Sequence, residues 1–264
     1  MLKQRVVTAL ALLLLFLGAL YFLSAAGWLL LTLAATLAGA WEWAGIAGYA
    51  RNRRWVYVSA TLLLALGLLA SGESACSPLL MAAALFWMAP AWFWLKMQWR
   101  TRSPVVMAGV GWLLLLSTWQ ALLVLRDMNP HLLLALMAVV WIADSAAYFA
   151  GRRFGKHKLA AAISPGKTWE GVAGALAGVT VFGIILSGAA QFPLWGVAAF
   201  WLLAGLSIGG DLFESWMKRV AGIKDSGSLL PGHGGVLDRI DGLIPVLPVA
   251  ALCITCLEWG AGGK

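Results

Sequence analysis

Charge is what this sequence has least of. Asp, Glu, Lys and Arg make up 11% of its 264 residues, less than half the share usual in soluble domains. Hydrophobic residues reach 62%, against roughly 45–50% in soluble chains, and the mean hydropathy is +0.86. A water-soluble globular domain is excluded. Cysteine is also scarce: Cys76, Cys253 and Cys256 are an odd number without framework spacing, so no disulfide scaffold is expected. Cys253 and Cys256 form a CxxC inside an apolar run with no second ligand pair, which reads as a packed pair rather than a zinc or redox site. No internal repeat and no Pro/Gly/Ser-rich linker divides the chain, so 1–264 is expected to be one integral membrane domain. Its N-terminal helices cover 1–125 and its catalytic part 126–264. The net charge of +8 comes from short basic clusters between apolar runs, the pattern of membrane topology and not of a nucleic-acid binder.

What is present is a succession of apolar runs near membrane-spanning length. They cover 6–23, 27–49, 55–70, a span opening at Pro78 and closing in WFWLKMQWRTR, then 105–125, 131–150, 171–186, 194–208 and 243–259. The expectation is an all-α polytopic membrane protein of about nine transmembrane helices. The first run resembles a signal peptide but exceeds the usual h-region and meets a second span at once, so it is expected to stay as a helix. With the N-terminus inside, the inner segments carry two, three, three, five and four basic residues in turn, leaving only Arg126 and Lys264 outside. The positive-inside rule then puts the N-terminus and both charged loops, 151–170 and 210–242, on the cytoplasmic face of the cell's inner membrane. The tryptophans Trp92, Trp94 and Trp99 beside Lys96, Arg100 and Arg102 read as an interfacial aromatic belt. Glu42, flanked by Trp41 and Trp43, is a costly group within a span and is expected to make structural hydrogen bonds.

Residues 210–241, GDLFESWMKRVAGIKDSGSLLPGHGGVLDRID, hold five carboxylates, four cations and His233. Helical spacing puts Asp211, Glu214, Ser215 and Lys218 on one face and Phe213, Trp216, Met217 and Val220 on the other, as in a helix emerging amphipathically from the bilayer. Gly222 is expected to end it. Asp211 and Asp238, from different segments, suit Mg2+, which takes one or two protein carboxylates and completes its shell with water and substrate phosphates. Interleaved Lys and Arg point to a polyanionic substrate. The catalytic candidates are Asp211, Asp238, Lys218 and Arg219. The substrate-binding candidates are Ser164, Lys167, Ser215, Lys224, His233 and Arg239. Asp144, one helical turn from Tyr148, forms a second tier with Asp225 and Asp241. The GKT of SPGKTWE is not a P-loop, because position 161 is Ala161 where that pattern needs glycine; Lys167 remains a phosphate contact near a helix start. A bare charged loop and a cation or proton transporter are the competing readings, the second weakened because only Glu42 and Asp144 lie within spans.

The stretch 215–241, with S-x-x-K-R, K-D, H-G-G and D-R-x-D in register, resembles the signature of the phosphatidate cytidylyltransferases, the CDP-diacylglycerol synthases. AWEWAGIAG near residue 41, ADSAAYFAGRRFGKHKL at 143–159, ISPGKTWEG at 163–171 and GDLFES at 210–215 extend the resemblance in order along nearly the whole chain. It implies an all-helical membrane enzyme that makes CDP-diacylglycerol and pyrophosphate from CTP and phosphatidate, requires Mg2+ with K+ as second cation, and works as a homodimer among membrane lipids. It also implies that Asp211 and Asp238 are the metal-binding aspartates. A CTP-dependent polyprenol or phytol kinase is the alternative enzyme, separated by its product, CDP.

Overall fold

The computed structural model describes residues 13–72, 77–101, 103–190, 196–227 and 234–262, apart from the side chains of 189, 190 and 257–262. It is helical almost throughout. The helices are α1 (Leu13–Phe22), α2 (Ala25–Ile46), α3 (Arg51–Ala70), α4 (Pro78–Met88), α5 (Pro90–Met97), α6 (Pro104–Met128) and α7 (Pro130–Phe154). A hairpin of β1 (Lys158–Ala160) and β2 (Ser164–Thr168) follows, then α8 (Trp169–Ala190), α9 (Val197–Ala221), α10 (Leu237–Ile240) and α11 (Leu243–Gly262). Seven spans among the described residues are long and apolar enough to cross a bilayer, α4 and α5 together making one of them. Leu13–Phe22 and Leu243–Cys256 are shorter apolar helices. The protein is thus an all-α, multi-pass membrane protein; among the described residues seven full-length spans and the two shorter apolar helices fall on the nine runs of the sequence.

The starts of these helices follow from local chemistry. Pro78, Pro90, Pro104 and Pro130 each occupy a first-turn position, where the missing N–H costs nothing and the fixed φ already suits a helix. Ser24 and Asn129 cap the next turns, accepting from Gly27 N at 3.1 Å and His131 N at 2.8 Å. The sequence reading ran one span from Pro78 into WFWLKMQWRTR, and one span, Pro78–Met97, is present. The structure breaks it at Ala89 (φ −141°, ψ −58°), because Pro90 restricts the residue before it and cannot donate into the preceding turn.

Small residues let helices approach where the polar site will form. A Cβ on Gly174 would lie 2.3 Å from Ala150 Cβ, and one on Gly178 2.8 Å from Ala146 Cβ, so α7 and α8 pack backbone to backbone. Gly210 does the same for α9: a Cβ there would sit 2.3 Å from the Asp241 carbonyl and 2.8 Å from Pro245. The turns of α9 around residues 212–217 are packed within the protein. Phe213 packs edge-on against Phe86, Trp87 and Trp94, and Glu214, on the polar face, is only 4% exposed. Both faces are therefore covered, one by aromatics and one by the site. Trp94, 5% exposed, is likewise part of the core, its indole N–H bonding Trp99 O at 2.8 Å. Gly222 ends α9 in the left-handed region, φ 73°, a conformation glycine enters without strain. Cys253 and Cys256 both lie on α11, outside any disulfide among the described residues.

Candidate active site

A cavity of about 530 Å3 opens at the ends of α7 and α9, roofed by the β-hairpin and floored by the corner between α10 and α11. Asp144, Arg152, Lys167, Asp211, Asp238 and Asp241 are its charged lining, and Tyr148, Ser164, Gly166 and Thr168 complete its polar wall. Each group arrives from a different element. Asp144 lies on α7, where Ser207 Oγ approaches its Oδ1 at 3.5 Å. Lys167 comes from β2, whose pairing with β1 holds it over α9. Its Nζ is 2.7 Å from Asp211 Oδ2 and 3.3 Å from Ile208 O. Ser215, one turn along α9, donates to Asp211 Oδ1 at 3.2 Å.

Asp238 is held by four hydrogen bonds. Lys218 Nζ donates to its Oδ1, while Ser226 N (3.0 Å), Ser226 Oγ (3.0 Å) and Gly235 N (2.9 Å) converge on its Oδ2. Lys218 also bonds Glu214 Oε2 at 3.1 Å, so one ammonium joins two buried carboxylates. Burial alone would raise the Asp238 carboxyl, but the Lys218 bond and the backbone donors outweigh it and hold the group below its usual range. Asp241 behaves oppositely. Burial, followed by the negative charge of Asp211 and Glu214, pushes it well above the usual range. Four aspartates thus share the cavity lining with one lysine and one arginine.

The sequence candidates separate clearly. Asp144, Ser164, Lys167, Asp211, Asp238 and Asp241 all line the cavity; Ser215 and Lys218 bind its walls. Arg219 points instead to the hairpin, Nε donating to Ile163 O at 3.4 Å. Lys224, Asp225 and Arg239 are exposed and outside the lining. His233 lies outside the described residues. Sequence reasoning did not select Arg152, which lines the cavity and bonds the Tyr148 hydroxyl at 2.9 Å, or Ser226, which carries no local motif of its own. Glu42, expected to make structural hydrogen bonds, does so: it is 2% exposed and accepts from Ser226 Oγ, Val236 N and Leu237 N, each at 2.9 Å. His157 pairs with Glu170 at 2.7 Å on the surface, away from the cavity.

Fold and site together define a multi-pass membrane protein with a polar, oxygen-rich, lysine-bearing cavity at one end of its helices, a class built to handle phosphate-bearing substrates beside a bilayer. The chain belongs to the cytidylyltransferase family, whose pattern matches residues 3–257. It is 40% identical to the phosphatidate cytidylyltransferase of Pseudomonas aeruginosa over 279 aligned positions, covering 99% of this chain and 100% of that one. It is 49% identical to the phosphatidate cytidylyltransferase of Haemophilus influenzae over 124 positions, 44% of this chain and 43% of the other. Against that of Brucella suis, identity is 53% over 111 positions, 41% of each.

Proposed function

We propose that this protein transfers the cytidylyl group of CTP to phosphatidate, releasing pyrophosphate and forming CDP-diacylglycerol. The observation that carries the reading is the cavity itself: four aspartates and Lys167 on one polar wall of a membrane bundle, in a chain alike from end to end to a phosphatidate cytidylyltransferase. Both substrates are polyanions, and one is a lipid that must stay in the bilayer. The positive-inside asymmetry supports a cytoplasmic site, the side from which CTP arrives.

The reaction needs little proton chemistry. A phosphate monoester has a second pKa near 6, so the phosphatidate head group is largely dianionic at neutral pH. One of its oxygens attacks the α-phosphorus of CTP, the bond to the β-phosphate oxygen breaks, and its electrons leave on pyrophosphate. The protein's task is to bring two anions together and hold them in line. Lys167 and Lys218, tethered to carboxylates, are positioned to turn toward phosphate oxygens, and the hairpin backbone at 166–168 closes over them.

The donor set also suits Mg2+. Asp144, Asp211, Asp238 and Asp241 offer oxygen only, and four aspartates against Lys167 and Arg152 in one lining are an imbalance a divalent cation relieves. Among the described residues no three His, Cys, Asp or Glu side chains form a closed metal cluster, which fits an ion completed by water and substrate phosphates. Asp211 and Asp238 would hold it. When bound, it supplies charge neutralisation for the triphosphate and the leaving pyrophosphate. A second monovalent cation, K+, and a homodimeric assembly belong to the same proposal.

The test is product analysis on purified protein in mixed micelles: pyrophosphate appears from CTP only when phosphatidate and Mg2+ are both present. CDP in place of pyrophosphate would mean a lipid kinase. Full activity of Asp238→Asn would remove that aspartate from the metal assignment.

A further inference from the structure

The carboxylate of Glu42 is held by the chain entering α10, which carries Asp238, although the two lie almost 200 positions apart. It belongs to the last turns of α2 and is 2% exposed. Its Oε1 accepts from Val236 N, and its Oε2 from Leu237 N and Ser226 Oγ, all at 2.9 Å. Among the described residues no cation stands within ion-pair distance of it; two peptide N–H groups and a hydroxyl are its solvation. The loop is shaped to this carboxylate. A Cβ on Gly227 would lie 2.5 Å from Glu42 Oε1, and one on Gly235 would lie 2.4 Å from Oε2 and 2.0 Å from Ser226 Oγ. Two glycines thus let backbone close over the acid and exclude water.

Ser226 joins this acid to the cavity. Its hydroxyl is 2.9 Å from Glu42 Oε2 and 3.0 Å from Asp238 Oδ2, yet a hydroxyl carries one proton and donates to one acceptor at a time. Glu42 therefore competes with Asp238 for that proton while fixing the backbone on which Asp238 stands, since Val236 and Leu237 immediately precede it. We propose that Glu42 is a positioning residue for Asp238, setting its place through the 236–237 backbone and its hydrogen bonding through Ser226. The site thereby depends on a helix in the N-terminal half of the chain.

This inference rests on the cytidylyl-transfer reading, so its test has one arm that reads the reaction and one that does not. In hydrogen exchange on detergent-solubilised protein, Glu42→Gln leaves Val236 N–H or Leu237 N–H facing an amide nitrogen. Peptides covering 234–242 should exchange at least about tenfold faster, as expected when a protecting bond is lost, while peptides from α6 and α7 keep their wild-type rates. In steady-state pyrophosphate release, kcat should fall roughly ten- to a hundredfold, the usual cost of removing an orienting partner. KM for phosphatidate should stay within about twofold, since the lipid's own contacts are untouched. Ser226→Ala, which keeps both backbone bonds to Glu42, should lower kcat less, and the two substitutions together should cost less than the product of their separate effects. Unchanged exchange at 234–242, exchange raised uniformly through the bundle, or strictly multiplicative effects would overturn the proposal. If Glu42→Gln does not fold, Ser226→Ala decides alone: a severalfold loss of kcat at constant KM supports the coupling, and wild-type kcat refutes it. A wild-type protein that releases no pyrophosphate would instead refute the reaction, with the exchange arm still reading the positioning role.

Discussion

Removing the Lys218 ammonium should be the most damaging single change of charge in the site. The side chains of Lys218, Glu214 and Asp238 are 13%, 5% and 11% exposed, so the ammonium is the shared partner of two acids held largely out of water. Glu214 Oε1 has no hydrogen-bond partner among the described residues, which leaves that acid more dependent on its lysine. In Lys218→Met the aliphatic volume is nearly kept and the charge is lost, leaving two buried acids without their shared partner. Breaking one buried pair by deleting a partner costs about 3–5 kcal/mol. At roughly 2–4 °C per kcal/mol for a chain of this size, the thermal midpoint should drop by about 6–20 °C. Tryptophan fluorescence reads it directly, given 16 tryptophans. The electrostatic origin is checked by Lys218→Met with Glu214→Gln, which removes one of the stranded acids and should recover a substantial part of the loss. A single variant within about 1 kcal/mol of wild type, the range of a surface pair, would refute the reasoning. So would a double variant no more stable than Lys218→Met alone.

The membrane class was legible because it depends on composition and run length, which need no tertiary information. The acidic and basic residues of 210–241 were legible as a site for the complementary reason: charge among apolar spans must have a purpose or a partner. What escaped was whatever depends on contacts between distant residues. Glu42 meets its partners at separations of 184, 194 and 195 positions, and nothing near it in the chain names them. Ser226 is an ordinary loop serine until two carboxylates converge on it. The β-hairpin was read as loop because its strands are three and five residues long and rich in Gly, Pro and Lys. Periodicity distinguishes the two faces at the amphipathic end of α9 but not what covers them; aromatic side chains of α4 and α5 cover one. Lys224 and Asp225, in the turn after Gly222, and Arg239, on α10, are exposed, which their closeness in sequence to the cavity residues does not reveal.

Asp211→Asn takes away the partner of Lys167 and a proposed metal ligand, and pyrophosphate release should fall by about a hundredfold or more; near-wild-type turnover would contradict its role. Gly210→Ala drives a methyl group against the Asp241 carbonyl, so thermal unfolding should show a loss of about 1–3 kcal/mol from overpacking, with activity reduced as the Asp241 corner shifts. The two terminal aspartates should also give the metal-free protein a stability maximum in mild acid. Asp241, whose folded value is raised, binds a proton more readily when folded, so stability rises as pH falls through that value toward the unfolded one near 3.9. Asp238, whose folded value is depressed, contributes stability that is complete above about 3.9 and lost as pH falls through its lower folded value. Thermal midpoints measured in chelator across this range should therefore climb and then drop. Asp241→Asn should flatten the climb, and Asp238→Asn should flatten the drop. A monotonic profile in the unsubstituted protein, or an acid limb untouched by Asp238→Asn, would show that these carboxyls do not carry the opposite shifts their surroundings impose.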